Sequence, residues 1–166
     1  MKKWICWCCT LAVLLSLSGC GSREEVPAAE TTVPAAVVET EPPVAMEPAV
    51  YYHGDENAEK LVQAEGKIPG LSPQNLIDLL ARKKVIPEGI VVWEFSQEDG
   101  ILSLDLSHEF GDAAAQMGTS GEYIILGSLT NTFLTAYGAD GLNLTIEGNP
   151  LETGHNIYDF TLKFFQ

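Results

Sequence analysis

A proline-rich, acidic stretch near the amino terminus limits where this chain can place a folded core. Five of the nine prolines lie between Gly21 and Ala49, together with six glutamates and a single base, Arg23. Prolines at this spacing break helices and like charges repel each other, which is typical of an extended, solvated linker. Residues 20–49 are therefore predicted to form a linker that begins with Cys20, and one folded domain is predicted over residues 50–166.

Residues 1–19 have the layout of a secretion signal. Lys2 and Lys3 precede an apolar run from Trp4 to Leu17, which is shorter than the roughly 20 apolar residues of a membrane-spanning helix. The tetrapeptide Leu17-Ser18-Gly19-Cys20 resembles the bacterial lipobox. That resemblance implies cleavage before Cys20 and diacylglyceryl transfer to its thiol, which would anchor the chain on the extracytoplasmic face of the cell membrane. An uncleaved membrane helix and a plain secretion signal are the alternatives.

The cysteines agree with this interpretation. Three of them lie in the predicted signal and the fourth is the predicted lipid acceptor: Cys6, Cys8, Cys9 and Cys20. The mature body is then predicted to contain no thiol, and hence no disulfide, cysteine-zinc site or cysteine nucleophile.

The charge balance excludes some partners. Nine Lys and Arg residues stand against 23 Asp and Glu residues, a formal charge of -14. Phosphate recognition uses clustered Lys and Arg, so no nucleic-acid partner is expected. For the same reason the overall composition argues against electrostatic docking on an anionic membrane.

Alternating and apolar runs predict six strands, over Val50–His53, Lys60–Ile68, Ile90–Phe95, Ile101–Leu106, Leu142–Ile146 and Tyr158–Phe164. Asp99-Gly100 predicts a hairpin turn between the third and fourth strands, because both residues tolerate positive φ. Gly148-Asn149-Pro150 is predicted to close the fifth strand.

Two main helices are predicted between these strands. Ser72-Pro73 is a typical helix start, with Ser as the cap and Pro in the first turn. A second helix is predicted from a capping box at Thr119–Glu122 to Tyr137, ended by Gly138. This order predicts an α+β fold, in which both helices pack on one face of a mixed β-sheet.

Three segments of the domain resemble the motifs of GerMN domains. They are Leu104–Phe110, Gly127–Leu134 and Gly141–Leu151, and within them the matching positions are Asp105, Ser107, Asn131 and Gly148. The resemblance implies a fold similar to the ring-building modules of secretion and sporulation assemblies. It also implies an exported, often lipid-anchored protein linked to sporulation or germination, with no established catalytic residue. The chain departs from the sporulation protein of this family in having a single copy and an additional aromatic end.

Asp105, His108 and Glu109 are the best candidates for chemistry, because two carboxylates and a histidine can do acid-base work or hold a metal. The simpler interpretation places Asp105 on the polar side of a strand and the other two in the loop that follows. His53 and His155 lie far off in sequence. We therefore predict no catalytic residue, no metal and no cofactor; an envelope hydrolase using this trio is the alternative.

Asn131 is predicted to be buried among apolar helix neighbours and to tie its helix to a nearby loop, since a buried amide needs partners. A small-ligand contact is the alternative role. One side of the carboxyl-terminal aromatics is predicted to complete the core and to leave Phe165 as a partner contact. The favoured function is a non-catalytic, lipid-anchored protein that binds envelope proteins or further copies of itself.

Overall fold

The computed structural model describes residues 45–166, and the structural statements below concern that part of the chain. These residues form, in order, β1 (Glu47–Gly54), β2 (Leu61–Ile68), α1 (Pro73–Arg82), β3 (Val92–Glu98), β4 (Ile101–Leu106), α2 (His108–Ala115), α3 (Thr119–Tyr137), β5 (Gly141–Ile146), β6 (Asn149–Glu152) and β7 (Ile157–Tyr158). Because β1 begins at Glu47, the folded part starts inside the stretch predicted to be linker.

The strands form two sheets. β1 and β2 are an antiparallel pair, and the other five strands follow the order β3-β4-β5-β6-β7. β4 and β5 are parallel, while the remaining neighbours are antiparallel. A parallel pair needs a long crossover, which α2 and α3 supply. The predicted α+β class and mixed sheet are confirmed, but the two amino-terminal strands form a separate sheet.

The core lies between the helices and one face of the larger sheet. Leu102, Leu104 and Leu106 alternate along β4 and are buried, whereas Ser103 between them is exposed. This alternation follows from the period of two along a strand. The helices bury Phe110 and Phe133 completely against the same core.

α3 is buried on several faces, whereas an amphipathic helix is buried on one face only. Every residue from 125 to 134 is buried, because the helix packs against β1 as well as against α1, α2 and β5. The amide of Tyr52 in β1 even donates to the hydroxyl of Thr132 at 3.0 Å. A Cβ placed on Gly127 would lie 2.5 Å from Leu61 Cδ1 and 3.1 Å from Phe165 Cβ, so only glycine fits there without movement.

The predicted turns and the cap of α1 are largely confirmed. Asp99 and Gly100 both have positive φ, 48° and 77°, and close the β3–β4 hairpin. Ser72 caps α1 by accepting from the amide of Asn75 at 3.1 Å. Gly138 ends α3 in the left-handed conformation with φ of 61°.

The predicted capping box of α3 is wrong. Gly118 is the cap and makes no side-chain hydrogen bond, while Thr119 is already helical. Glu122 turns inward and is 2% exposed, because it has partners in the carboxyl-terminal part of the domain. The local sequence pattern could not show that the Glu122 carboxylate forms hydrogen bonds with residues far away in the sequence.

The predicted last strand is also wrong. β7 contains only Ile157 and Tyr158, and further along the chain Leu162 makes an isolated antiparallel bridge with Leu142. Phe160 and Phe164 are exposed. Phe165, predicted to be exposed, is instead half-buried against the core.

Candidate functional site

Asp105 lies on the outer side of β4, and its carboxylate holds the turn between β5 and β6. Its Oδ1 accepts from the hydroxyl of Thr145 at 2.6 Å and from the amide of Gly148 at 2.8 Å. Glu147 and Gly148 form this turn with φ of 51° and 77°, the pair of positive values that a tight two-residue hairpin requires. Asp105 is therefore committed to joining β4 to its neighbours.

His108 and Glu109 begin α2, so their predicted place in a loop is wrong. Ser107 stands at the cap position of this helix, and Glu109 lies in its first turn, where a negative charge is favoured. Hydrogen bonds from the Ser107 side chain and from the backbone amide of Glu109 itself lower the pKa of the Glu109 carboxyl. The sequence pattern that indicates this helix is Ser-His-Glu at its start, followed by Phe110 and Ala114, the two residues of α2 that are buried.

The carboxylates nearest to His108 are those of Glu147 and Glu109. Its Nδ1 lies 3.3 Å from Glu147 Oε1 and its Nε2 lies 3.7 Å from Glu109 Oε1, with the His108 side chain 60% exposed. Such solvent-exposed pairs are screened by water and contribute little to stability. Asp105 uses its carboxylate in the turn instead, and the ion pairs within 4 Å among residues 45–166 do not join it to His108 or Glu109.

A shallow groove of about 240 Å³ runs beside His108, between α2 and β6. Asp112 and Glu152 also line it, but within residues 45–166 no three His, Cys, Asp or Glu side chains are grouped so that they could hold a metal ion. His53 lies in β1 and His155 in the segment between β6 and β7. The three histidines thus lie on separate elements.

Ser107 joins the start of α2 to the segment that leads into β3. Its hydroxyl accepts from the amide of Val91 at 2.8 Å, and its own amide donates to the Val91 carbonyl at 2.9 Å. A serine there satisfies a backbone amide that the sheet does not reach.

Asn131 is completely buried in α3 and pairs with the backbone of one residue. Its Nδ2 donates to the Phe165 carbonyl at 2.9 Å, and its Oδ1 accepts from the Phe165 amide at 2.8 Å. The side-chain amide of Asn131 thus pairs with the Phe165 backbone as a neighbouring strand would, and it holds the carboxyl-terminal segment against α3. Phe165 thus engages both the nitrogen and the oxygen of the Asn131 amide.

Glu122 forms a second buried clamp, which the sequence analysis missed. Its Oε1 accepts from the Tyr158 hydroxyl in a short hydrogen bond and from Asn156 Nδ2 at 3.1 Å. Burial raises the pKa of Glu122, but hydrogen bonds from Tyr158, Asn156 and Thr153 outweigh burial and lower it. Burial and the neighbouring carboxylate raise the pKa of Tyr158 to about 12.

β3 forms one edge of the larger sheet and carries a large exposed aromatic side chain. β3 pairs only with β4, and Gln74 of α1 accepts from the amide of Val92 at 2.9 Å, which closes the first position of the edge. Beyond this point Trp93 is 57% exposed at a bulge, with Val91 also exposed. We call the segment from Trp93 to Glu98 the β3 edge. An exposed strand edge with a large aromatic side chain is suited to binding another chain.

The predicted anchor lies outside the described residues. Cys20 and the lipobox residues Leu17, Ser18 and Gly19 belong to the part of the chain before residue 45. Within residues 45–166, no helix combines the length and the hydropathy needed to cross a membrane.

The sequence and the fold were compared with known protein families and solved structures. A family model described as Germane, sporulation and spore germination, matches residues 22–152. No curated protein matches the sequence. Two solved structures align with this chain. The tandem GerMN domains of the sporulation protein GerM from Bacillus subtilis align with a TM-score of 0.53 and 12% identity, over 77% of this chain and 48% of that one. A candidate lipoprotein from Clostridium perfringens aligns with a TM-score of 0.47 and 18% identity, over 75% of this chain and 91% of that one.

Proposed function

We propose, because this chain belongs to the Germane family of sporulation and spore germination, that it is a lipid-anchored protein of the cell envelope. Its folded domain binds other envelope proteins and catalyses no reaction. The tandem GerMN structure from Bacillus subtilis has the same fold, and this chain spans about half of it. A role in sporulation or germination is part of the proposal.

The observation that carries the binding role is the contrast between the buried polar groups and the β3 edge. Asp105, Asn131 and Glu122 each hold two parts of the domain together. At the surface, by contrast, Trp93 exposes an aromatic ring beside backbone that has no strand partner among the described residues. Tryptophan is among the residues that contribute most to protein interfaces.

The charges of the β3 edge favour a partner of a different kind. Glu94 and Glu98 lie on the exposed face of the strand, opposite Asp105 and Ile101 of β4. If two copies paired through this edge, these glutamates would approach each other, and like charges in facing strands are destabilising. We therefore propose that the partner adds a strand with Lys or Arg on that face.

The anchor is supported by the sequence alone. The apolar run that ends in Leu17-Ser18-Gly19-Cys20 supports export and lipid attachment at Cys20. The acidic, proline-rich linker then connects the domain to the lipid-modified Cys20. In this proposal the domain works on the extracytoplasmic face of the cell membrane.

Crosslinking in intact cells tests the binding role. We expect Trp93→Ala to remove the main crosslinked species or to weaken it at least tenfold, since interface tryptophans commonly contribute about 2 kcal/mol or more. Leu71→Ala is the matched control, because Leu71 is also apolar and 51% exposed but precedes α1. Equal crosslinking by both variants contradicts binding through the β3 edge.

Fractionation tests the anchor separately. Cys20→Ala removes the thiol that would carry the lipid, and we expect the lipid-modified form to disappear from the membrane fraction. Metabolic labelling with a radioactive fatty acid provides the readout, and Cys9→Ala in the predicted signal is the control. Undiminished labelling of Cys20→Ala contradicts the lipid anchor.

A further inference from the structure

A groove at the end of α1 gathers the cations of an otherwise acidic domain. Lys67 of β2 lines it together with Arg82 and Lys83 at the end of α1. Its volume is about 570 Å³, and the rest of its wall is Met46, Pro48, Glu65, Gly66 and Leu79. We call this the basic groove.

Contacts within the domain orient two of these cations. One Arg82 guanidinium nitrogen donates to the Lys67 carbonyl at 3.0 Å, which holds the guanidinium against β2. Lys83 Nζ lies 5.5 Å from the ring centroid of Tyr51, close enough for a cation–π contact. Lys84 follows directly and lines the adjacent depression with Lys83. The two elements thus present one basic surface.

This surface keeps its charge largely uncompensated. Four of the six Lys and Arg residues between Val50 and Gln166 belong to it. Glu65 is the carboxylate in the groove wall, and among residues 45–166 the only ion pairs within 4 Å involve His108 instead. Because Glu65 is the only acidic residue among those that line the groove, this surface is locally basic, although the overall charge of the chain, -14, disfavours anionic membranes.

The chain from the predicted anchor enters the domain at this surface. Met46 lines the basic groove with its side chain 50% exposed, and β1 begins at the next residue. Only 25 residues lie between Cys20 and Met46 in the sequence. A lipid at Cys20 would therefore hold the basic groove within reach of the headgroups.

We propose that the basic groove docks the domain on anionic phospholipid headgroups of the membrane that carries the anchor. This inference depends on the lipid anchor of the proposed function. Lys67, Arg82 and Lys83 face the phosphates, and Met46 and Leu79 give the groove an apolar floor suited to the interfacial region. The acidic remainder of the domain is repelled by the same membrane surface.

Lysine acylation of the full-length lipid-modified protein, read by mass spectrometry, tests the docking. The protein is reconstituted in vesicles of phosphatidylcholine alone or with 30 mole per cent phosphatidylglycerol, a probe composition chosen at about the anionic content that attracts basic segments. We expect the acylation of Lys67, Lys83 and Lys84 to slow at least fivefold in the anionic vesicles and to recover in high salt. Lys60 and Lys163 are internal controls whose rates stay unchanged.

Charge-neutral variants give a second readout. Each cation near an anionic surface changes partitioning by about fivefold, so Arg82→Gln with Lys83→Gln should weaken docking about 25-fold and restore the acylation of Lys67 and Lys84. Lys60→Gln with Lys163→Gln makes the same change in net charge elsewhere and should leave the protection intact.

The outcomes separate the two proposals. Protein that does not float with either kind of vesicle contradicts the anchor. Protein that floats with both, but whose groove lysines react equally in both, contradicts the docking alone. Protection by soluble polyphosphate over neutral vesicles, without protection by anionic lipid, assigns the groove to a phosphate polymer and overturns the lipid proposal.

Discussion

Replacing Asn131 by aspartate isolates the contribution of the buried clamp to Phe165. The substitution keeps the shape of the side chain and the oxygen that accepts from the Phe165 amide at 2.8 Å. It replaces the nitrogen that donates to the Phe165 carbonyl at 2.9 Å with a second oxygen. Two acceptors then face each other at a position that is 0% exposed.

The magnitude follows from these contacts. Loss of one hydrogen bond costs about 1 kcal/mol, and a buried polar group left without a partner adds about 1–3 kcal/mol, more when it is charged. We therefore expect Asn131→Asp to lower the free energy of unfolding by about 3 kcal/mol at pH 7. This is a large share of the 5–15 kcal/mol typical of a small domain.

The loss should depend on pH with a defined sign. Burial and the missing donor raise the pKa of the introduced carboxyl above its unfolded value of about 3.9. The folded variant then holds its proton over a pH range in which the unfolded variant releases it. Stability is highest below the unfolded pKa and falls as the pH rises through the folded pKa.

Urea unfolding followed by circular dichroism at pH 4 and pH 7 measures both effects. The chain from Gly21 is suitable because residues 45–166 enclose the core. Asn143→Asp is the matched control: Asn143 is exposed, and its Oδ1 accepts from Thr161 at 2.7 Å, which a carboxylate can still do. If both variants lose the same stability at pH 7, the assignment of a buried two-way clamp is refuted.

Further predictions concern the Glu122 clamp and the packing of α3. Tyr158→Phe should cost about 2 kcal/mol in urea unfolding, because it removes one of the two donors to the buried Glu122 carboxylate and leaves only Asn156. Tyr52→Phe, which loses an exposed hydrogen bond, should cost less than about 0.5 kcal/mol. Phenolate absorbance should show Tyr158 ionising near its pKa of about 12. Because the pKa of Tyr158 is raised in the folded state, the contribution of Tyr158 to stability is complete below about pH 10 and is lost toward pH 12. Tyr158→Phe should abolish this loss of stability. Glu122, with a lowered folded pKa, should contribute stability above its unfolded pKa of about 4.3 and lose it on acidification. Gly127→Ala should destabilise the domain by about 1–3 kcal/mol despite its better helix propensity, because the new Cβ would lie 2.5 Å from Leu61. Gly121→Ala in the same helix should cost less, because its nearest contact, Met117 Cβ, is at 3.2 Å. Thermal unfolding that ranks the two alike contradicts the close approach at Gly127.

Much of the local structure was predictable because its causes lie within a few residues. The Asp99-Gly100 turn needs positive φ at both positions, and these residue types adopt it readily. The cap of α1 at Ser72 and the end of α3 at Gly138 follow from the same kind of local backbone requirement. The alternation of Leu102, Leu104 and Leu106 similarly predicted the buried face of β4.

The failures share a different cause. Glu122 had the spacing of a capping box, but its carboxylate is paired with Tyr158 and Asn156 from distant sequence. The aromatic end had the spacing of a strand, but the Phe165 backbone is paired with the side chain of Asn131. In both cases a buried polar side chain forms its hydrogen bonds with residues far away in the sequence, which a local pattern does not indicate.

The candidate site shows the same division. The sequence indicated Asp105, His108 and Glu109 by residue type alone. In the structure Asp105 accepts hydrogen bonds at the β5–β6 turn, and the His108 side chain is exposed to solvent. Trp93 and the basic groove had no sequence motif, since exposure and clustering depend on which elements meet.

Sequence by itself determined the class of fold, the main turns, the inward face of β4 and the burial of the Asn131 amide. Only the tertiary structure decided that β1 and β2 form their own sheet, which strand edge stays open and that Lys67 joins Arg82 and Lys83 beside the incoming chain. The physical reason is one of range: propensities, caps and alternation act over one or two turns of chain. The partners of buried polar groups and the grouping of surface charges are set by contacts between residues far apart in sequence.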